Sequence, residues 1–264
     1  MEKKLKKLQN YLLGLKKVAV AFSGGVDSSF LLKVASDILG KNAIAINVNS
    51  PLVARTERIS MRDFCTKYEI PLIQIEFDAL SFSQIKENSV NRCYFCKQAL
   101  FSQIMANAKE NDIENIADGS NSDDESDFRP GMKALAEMGV LSPLKECGFS
   151  KTEIRALSKK MELPTFNLPS AACLASRIEY GQEITEEMLA RIDKAEDFLR
   201  KLNFGQCRVR VHGNLARIEV PPKQMQDAFL HRKEIHAETK RLGFSYATLD
   251  LSGYRTGSMN EMLE

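Results

Sequence analysis

An apolar run, Val18-Ala19-Val20-Ala21-Phe22, passes directly into Ser23-Gly24-Gly25-Val26-Asp27-Ser28 and then into a helical pattern from Ser29 to Leu39. Strand, glycine turn and helix in that order point to an α/β fold with an anion-binding loop at the strand's carboxyl end. Paired glycines let the backbone turn tightly and approach an anion with no Cβ in the way. The N–H groups of the loop and of the helix's first turn then face the bound charge. Ser23 and Ser28 add hydroxyl donors, and Asp27 suits the Mg²⁺ that accompanies a nucleoside triphosphate. The loop lacks a Gly-Lys-Ser/Thr ending, so it brings no lysine of its own to the γ-phosphate. Two glycines can also mark a plain sharp turn. The serines, the aspartate and the following helix favour phosphate.

Alternation continues beyond this unit. Strands are expected at Val18–Phe22, Ala43–Val48, Leu72–Glu76, Asn115–Asp118 and Val140–Leu144. Helical patterns lie at Ser29–Leu39, Thr56–Tyr68, Lys97–Asn111 and Lys151–Met161, the last opened by the capping-box spacing Ser150-Lys151-Thr152-Glu153. Such alternation implies a parallel sheet flanked by helices. Leu5, Leu8, Leu12 and Leu15 share one face of a lysine-rich N-terminal helix that is expected to pack on this domain. From about Ile178 the order becomes helix (Thr185 to Leu202), strands Cys207–Val211 and Ala216–Val220, helix (Lys223 to Leu242) and strand Tyr246–Leu251. That order reads as a smaller C-terminal α+β domain with an antiparallel sheet. The division is therefore 1–177, an ATP-binding domain, and 178–264, a substrate or oligomerisation domain.

Bulk electrostatics narrow the partners. With 37 basic against 35 acidic residues the net charge is +2, no advertisement for nucleic acid. No apolar run is long enough to span a bilayer, and no cleavable leader is evident, so the expected location is the cytoplasm. Six cysteines are then expected to be thiols or ligands rather than disulfides.

A second signature follows a short strand: Asp118-Gly119-Ser120-Asn121-Ser122-Asp123-Asp124-Glu125-Ser126-Asp127-Phe128-Arg129-Pro130-Gly131. A solvated acidic loop is the plain reading. Its position after a parallel strand favours a site, with Asp123, Asp127 and Arg129 positioning ATP or substrate. EF-hand spacing is missing.

The Ser23–Ser28 loop, with Leu141-Ser142-Pro143-Leu144 and Lys151-x-x-Ile154-Arg155, resembles the PP-loop ATP pyrophosphatase superfamily, an adenine nucleotide alpha hydrolase-like fold. Its members split ATP between the α- and β-phosphates. Over nearly the whole chain the sequence resembles the LarE family, ATP-dependent sulfur-inserting enzymes of nickel-pincer cofactor synthesis. That likeness is carried by the loop, Asn49-Ser50, Arg92-Cys93-Tyr94-Phe95-Cys96-Lys97, the acidic string, Pro169 through Arg177, Arg208-Val209-Arg210 and Ala216-Arg217-Ile218-Glu219. The resemblance implies adenylation of a carboxylate on a pyridinium dicarboxylate mononucleotide and its conversion to a thiocarboxylate. It further implies that Asn49, Asp118 and Gly119 join the nucleotide site. Ser176, Arg177, Arg208 and Arg210 would serve the catalytic site and the substrate phosphate, with Glu196 and Glu219 as acidic positions beside them. A sulfur donor and a homo-oligomer are implied as partners.

One subtype of that family sacrifices its own cysteine. Aligned on Ser176-Arg177, this chain has Ala172 at that position and Cys173 one residue later. Another subtype holds a [4Fe–4S] cluster on three cysteines, and the matching residues here are Cys93, Cys96 and Cys173. Zinc binding, redox use of Cys93 and Cys96, and a sacrificial or structural Cys173 remain alternatives. Cys65, Cys147 and Cys207 read as buried inert thiols. The rival functions are tRNA thiolation, amide formation on the same adenylate, and a nucleotide-binding module without turnover.

Overall fold

The computed structural model describes residues 1–126, 130–169, 172–255 and 258, without the side chains of 125, 126 and 130. Two compact units emerge. The first comprises Met1–Ser50, Thr56–Ala79 and Asn91–Ala171; the second comprises Pro51–Arg55, Leu80–Val90 and Ala172–Glu264. The expectation from sequence is a single cut after residue 177. The observed division falls between Ala171 and Ala172, and two short excursions of the N-terminal half belong to the second unit.

In the first unit the elements run α1 (Glu2–Leu15), β1 (Val18–Ala21), α2 (Val26–Leu39), β2 (Ala43–Asn49), α3 (Arg55–Lys67, from Thr56 onward), β3 (Leu72–Glu76), α5 (Arg92–Glu110), β4 (Ile116–Ala117), α6 (Pro130–Glu137), α7 (Pro143–Glu146) and α8 (Lys151–Lys160). The short α4 (Ser83–Lys86) lies in the second unit. The four strands pair in parallel in the order β3-β2-β1-β4, with Val18 opposite Ala43 and Ala19 opposite Ile116. Strands β1 and β2 are buried nearly throughout, as a sheet covered by helices requires. Leu8 and Leu12 of α1 are fully buried, each contributing roughly 1.5–3 kcal/mol of transfer free energy.

Two local expectations change. The strand expected at Val140–Leu144 is only a single bridge, Ala117 to Leu141. Pro143 has no N–H to give a ladder and instead starts α7. The helix expected from Lys97 begins at Arg92, which puts Cys93 and Cys96 in its first turns.

In the second unit α9 (Glu186–Lys201) precedes β5 (Arg208–His212), β6 (Leu215–Glu219), α10 (Met225–Leu230), α11 (Arg232–Arg241) and β7 (Tyr246–Leu249). The helix expected over Lys223–Leu242 is interrupted at His231, whose ψ of 9° leaves helical geometry. The expected antiparallel sheet is mixed. Strands β5 and β6 form a hairpin, whereas α10 and α11 return the chain so that β7 lies parallel to β6. Val209, Val211, Ala216 and Ile218 are buried, and Arg208, Arg210, Arg217 and Glu219 occupy the alternate positions of the same two strands. Among the described residues no helix is long and apolar enough to cross a membrane.

Candidate active site

The turn from Phe22 to Gly25 delivers the chain into α2 beyond the carboxyl end of β1. Gly24 has φ +71°, and a Cβ there would stand 2.6 Å from Cγ of Met61 on α3. Gly119, at the end of the β4 segment, lies so close to α2 that a Cβ would meet the Ser28 nitrogen at 2.9 Å. Both glycines are therefore sterically required, one by conformation and one by approach. The Ser23 and Ser28 hydroxyls are 3.0 Å apart, and Ser28 also lies 3.3 Å from the Gly25 carbonyl. Within the first unit the structure thus brings Ser23, Gly24, Gly25, Asp27, Ser28 and Gly119 together around one helix N-terminus.

Asp27 is held by a residue the sequence reading did not assign to the site. The Lys151 ammonium, at the start of α8, pairs with Asp27 Oδ2. The other oxygen, Oδ1, is buried and has no hydrogen-bond partner among the described residues. Burial raises the Asp27 carboxyl above its ordinary range, with Lys151 opposing and Asp124 assisting. A desolvated, half-satisfied carboxylate beside an anion-ready helix end suits a hard cation. The capping box that fixes the start of α8 is formed, Ser150 accepting from the Glu153 N–H. That local signal placed Lys151 on a helix end but carried nothing about Asp27.

The other acidic positions divide. Asp118 is buried and accepts from the Ser120 hydroxyl and, at 2.7 Å, from Ser142. Asp123 accepts the Lys151 N–H at 2.9 Å, and Asp124 accepts the Asn121 N–H at 2.9 Å. Asp124 braces the loop's own backbone, whereas Asp123 ties the loop to the first turn of α8. Asn49 donates to both Glu76 oxygens (2.8 and 2.7 Å) and accepts from Arg58 at 2.7 Å. Asp127 and Arg129 lie outside the described residues.

The second unit carries two buried carboxylates ringed by arginines. Arg177 donates through Nε and Nη2 to Glu196 at 2.8 and 3.0 Å, and Arg200 and the Val209 N–H reach the same carboxylate at 3.1 Å. Burial pushes the Glu196 carboxyl up, and the positive charge of Arg177 with its hydrogen bonds outweighs that, so its pKa falls below the usual range. Nη1 of Arg177 meanwhile donates to the carbonyls of Ala172 (2.6 Å) and Cys173 (3.1 Å) and to the Ser176 hydroxyl (2.9 Å). Arg210 donates to the Ser176 carbonyl at 2.8 Å and to Glu219 and Ser258 at 3.0 Å. Arg208 lies over the Tyr254 ring, 5.3 Å from its centroid. Ser176, Arg177, Arg210, Glu196 and Glu219 are therefore linked through the Cys173 segment and β5.

All six cysteines are free thiols. Cys93 and Cys96 are partly exposed on α5 in the first unit, and Cys173 is exposed in the second. Arg92 lies 3.8 Å from Cys93 Sγ. Among the described residues no group of three or more His, Cys, Asp or Glu side chains could hold a metal ion. Burial pushes the Cys65 thiol up to about 11 and that of Cys207 to about 12.

Residues 1–128 match a family model described as a PP-loop domain. The chain is 39% identical over 265 residues to an uncharacterized protein of Synechocystis sp., covering 100% of this chain and 99% of that one. It is 37% identical over 253 residues to the pyridinium-3,5-bisthiocarboxylic acid mononucleotide synthase of Lactiplantibacillus plantarum, covering 96% of this chain and 92% of the synthase. An uncharacterized protein of Methanocaldococcus jannaschii is 31% identical over 258 residues, 96% of this chain and 98% of that protein.

Proposed function

Because the chain belongs to the LarE family of PP-loop proteins, we propose that it adenylates a carboxylate of a pyridinium dicarboxylate mononucleotide, releases pyrophosphate, and replaces the AMP with sulfur. The observation that carries this reading is the Ser23–Ser28 turn. Its required Gly24, the close approach of Gly119, the paired hydroxyls and the half-satisfied Asp27 make a receptor for a triphosphate and its cation.

A carboxylate resists substitution because its oxygen would leave as oxide. Adenylation makes that oxygen part of a phosphate leaving group. The loop N–H groups and Lys151 stabilise the charge that grows on departing pyrophosphate. Asp27 would hold Mg²⁺, which would neutralise phosphate charge. Asn49, Asp118 and Gly119 close the nucleotide site, the first two through side chains already fixed by Arg58 and Ser142.

Arg208 and Arg210, at alternate positions of β5, receive the mononucleotide phosphate. Arg177 acts as a positioning residue: with Glu196 it fixes the carbonyls on either side of Cys173. Cys93, Cys96 and Cys173 would supply the thiolates for a [4Fe–4S] cluster, which would bring sulfide to the activated carboxylate. A sulfur donor, a homo-oligomer and a cytoplasmic location accompany this reading.

Incubation with ATP, Mg²⁺ and the dicarboxylate mononucleotide tests it. Pyrophosphate release that depends on the mononucleotide, followed by thiocarboxylate when a sulfide source is present, is the expected result. ATP turnover without mononucleotide dependence would reject the substrate. Pyrophosphate release with amide formation from ammonia would instead identify a nitrogen-transferring ligase.

A further inference from the structure

Asn47 lies in the middle of β2 and only 2% of its surface is exposed, yet it is polar. Its Nδ2 donates to the carbonyl of Phe22 at 3.1 Å, and the same amide meets Sδ of Met61 at 2.7 Å. Phe22 is the last residue before the Ser23–Ser28 turn, and its own N–H already continues the β1–β2 ladder to Ile46 O at 2.8 Å. Asn47 therefore extends that pairing by one carbonyl, through a side chain where strand pairing has ended. Met61, 1% exposed, occupies the space that a Cβ on Gly24 would need.

We propose that Asn47 and Met61 are positioning residues that set the direction of the loop's first N–H donor. The argument rests on the reading of the Ser23–Ser28 turn as a triphosphate site. Across a trans peptide the carbonyl and the N–H point in opposite directions. No peptide among the described residues is cis. Pinning the Phe22 carbonyl toward β2 thus turns the Ser23 N–H away from β2, into the loop. A freed carbonyl could rotate toward the anion and repel it, while the Ser23 N–H was lost as a donor. Met61 restricts the next step of the chain by packing against Gly24, whose φ of +71° no larger residue adopts without strain. The amide orients the entry to the loop, and the thioether keeps it there.

Titration calorimetry on the whole chain, with ATP, AMP and inorganic pyrophosphate as probes, tests this. Asn47→Leu keeps the side chain's shape without the donor, and Asn47→Asp replaces the donor with an acceptor. Both are expected to weaken ATP and pyrophosphate roughly tenfold, the effect of one hydrogen-bond donor misdirected from an anion, while AMP binding stays unchanged. A merely structural role would lower ATP and AMP affinity together, or neither, and either result overturns the proposal. Wild-type protein that binds AMP as tightly as ATP and ignores pyrophosphate would instead reject the triphosphate reading beneath it. Should an Asn47 variant fail to fold, the pair Gly24→Ala and Gly24→Ala/Met61→Ala decides. Partial return of ATP affinity in the double variant supports the packing role, and no return overturns it.

Discussion

Lys151, the first residue of α8, neutralises Asp27 in the first turn of α2, a residue 124 positions earlier in the chain. Their side chains retain 33% and 20% of their exposure. The ion pair is thus half-screened, and it only partly offsets the burial of the carboxylate. Lys151 opposes, without cancelling, the upward pull of burial on the Asp27 carboxyl.

Asp27→Asn should separate stability from activity. Burial raises the Asp27 carboxyl above its ordinary range, so the folded state retains its proton to higher pH than the unfolded chain, and wild-type stability falls as pH rises through that window. The variant has no such loss. Its melting temperature at neutral pH should exceed that of wild type. The gap should close below about pH 4, where the carboxyl is protonated in both states. Pyrophosphate release should fall about 100-fold or more. Thermal scans across pH, with a pyrophosphate assay, check both halves.

Breaking the Arg177–Glu196 pair should be among the most damaging single changes in the second unit. Arg177→Met leaves a fully buried carboxylate with Arg200 and one N–H, and removing one partner of a buried pair costs about 3–5 kcal/mol. The Glu196 carboxyl is depressed in the folded state, so its contribution is present above the usual carboxylate range and is lost as pH falls below it. Arg177→Met should consequently flatten the acid limb of the stability profile. Denaturant titrations at several pH values measure this, and an unchanged acid limb would show the pair to be inconsequential.

Gly119→Ala places a Cβ 2.9 Å from the Ser28 nitrogen and 3.1 Å from its Cα. Both are backbone atoms of a helix end and cannot swing aside. The expected cost is about 1–3 kcal/mol of stability, with loss of measurable ATP binding. Gly148→Ala, in open space at φ +73°, should show only the modest cost of conformational strain and leave ATP binding intact.

Alkylation should sort the thiols in a single experiment. Cys173 is exposed, Cys93 and Cys96 are partly exposed, and Cys65, Cys147 and Cys207 are buried. Iodoacetamide followed by peptide mass mapping should label Cys173 first and the buried three only after unfolding. Cys93→Ala, Cys96→Ala and Cys173→Ala should each retain mononucleotide-dependent pyrophosphate release within about threefold and lose sulfur transfer. Loss of pyrophosphate release in all three would place the thiols in the adenylation step instead.

Local pattern along the chain determined a good deal. The strand, paired glycines and helix at 18–39, the capping box at Ser150, the Leu8 and Leu12 stripe and the alternation of Arg208, Val209, Arg210 and Val211 each depend on neighbours within a few residues. The periodicities of helix and strand express exactly such short-range constraints. The same patterns misjudged Val140–Leu144, where a proline removed the ladder, and the last strand, whose direction depends on the helices that carry the chain back.

Only the tertiary structure decided which polar groups meet. Nothing near Lys151 in sequence announces Asp27, and nothing near Asn47 or Met61 announces the Phe22 carbonyl or Gly24. Ser142 on Asp118 and Arg177 on Glu196 are pairings of the same kind. A buried polar atom must be matched by whichever element the packing of the core brings against it. That choice is made by contacts between distant segments, and residue spacing along the chain does not record it.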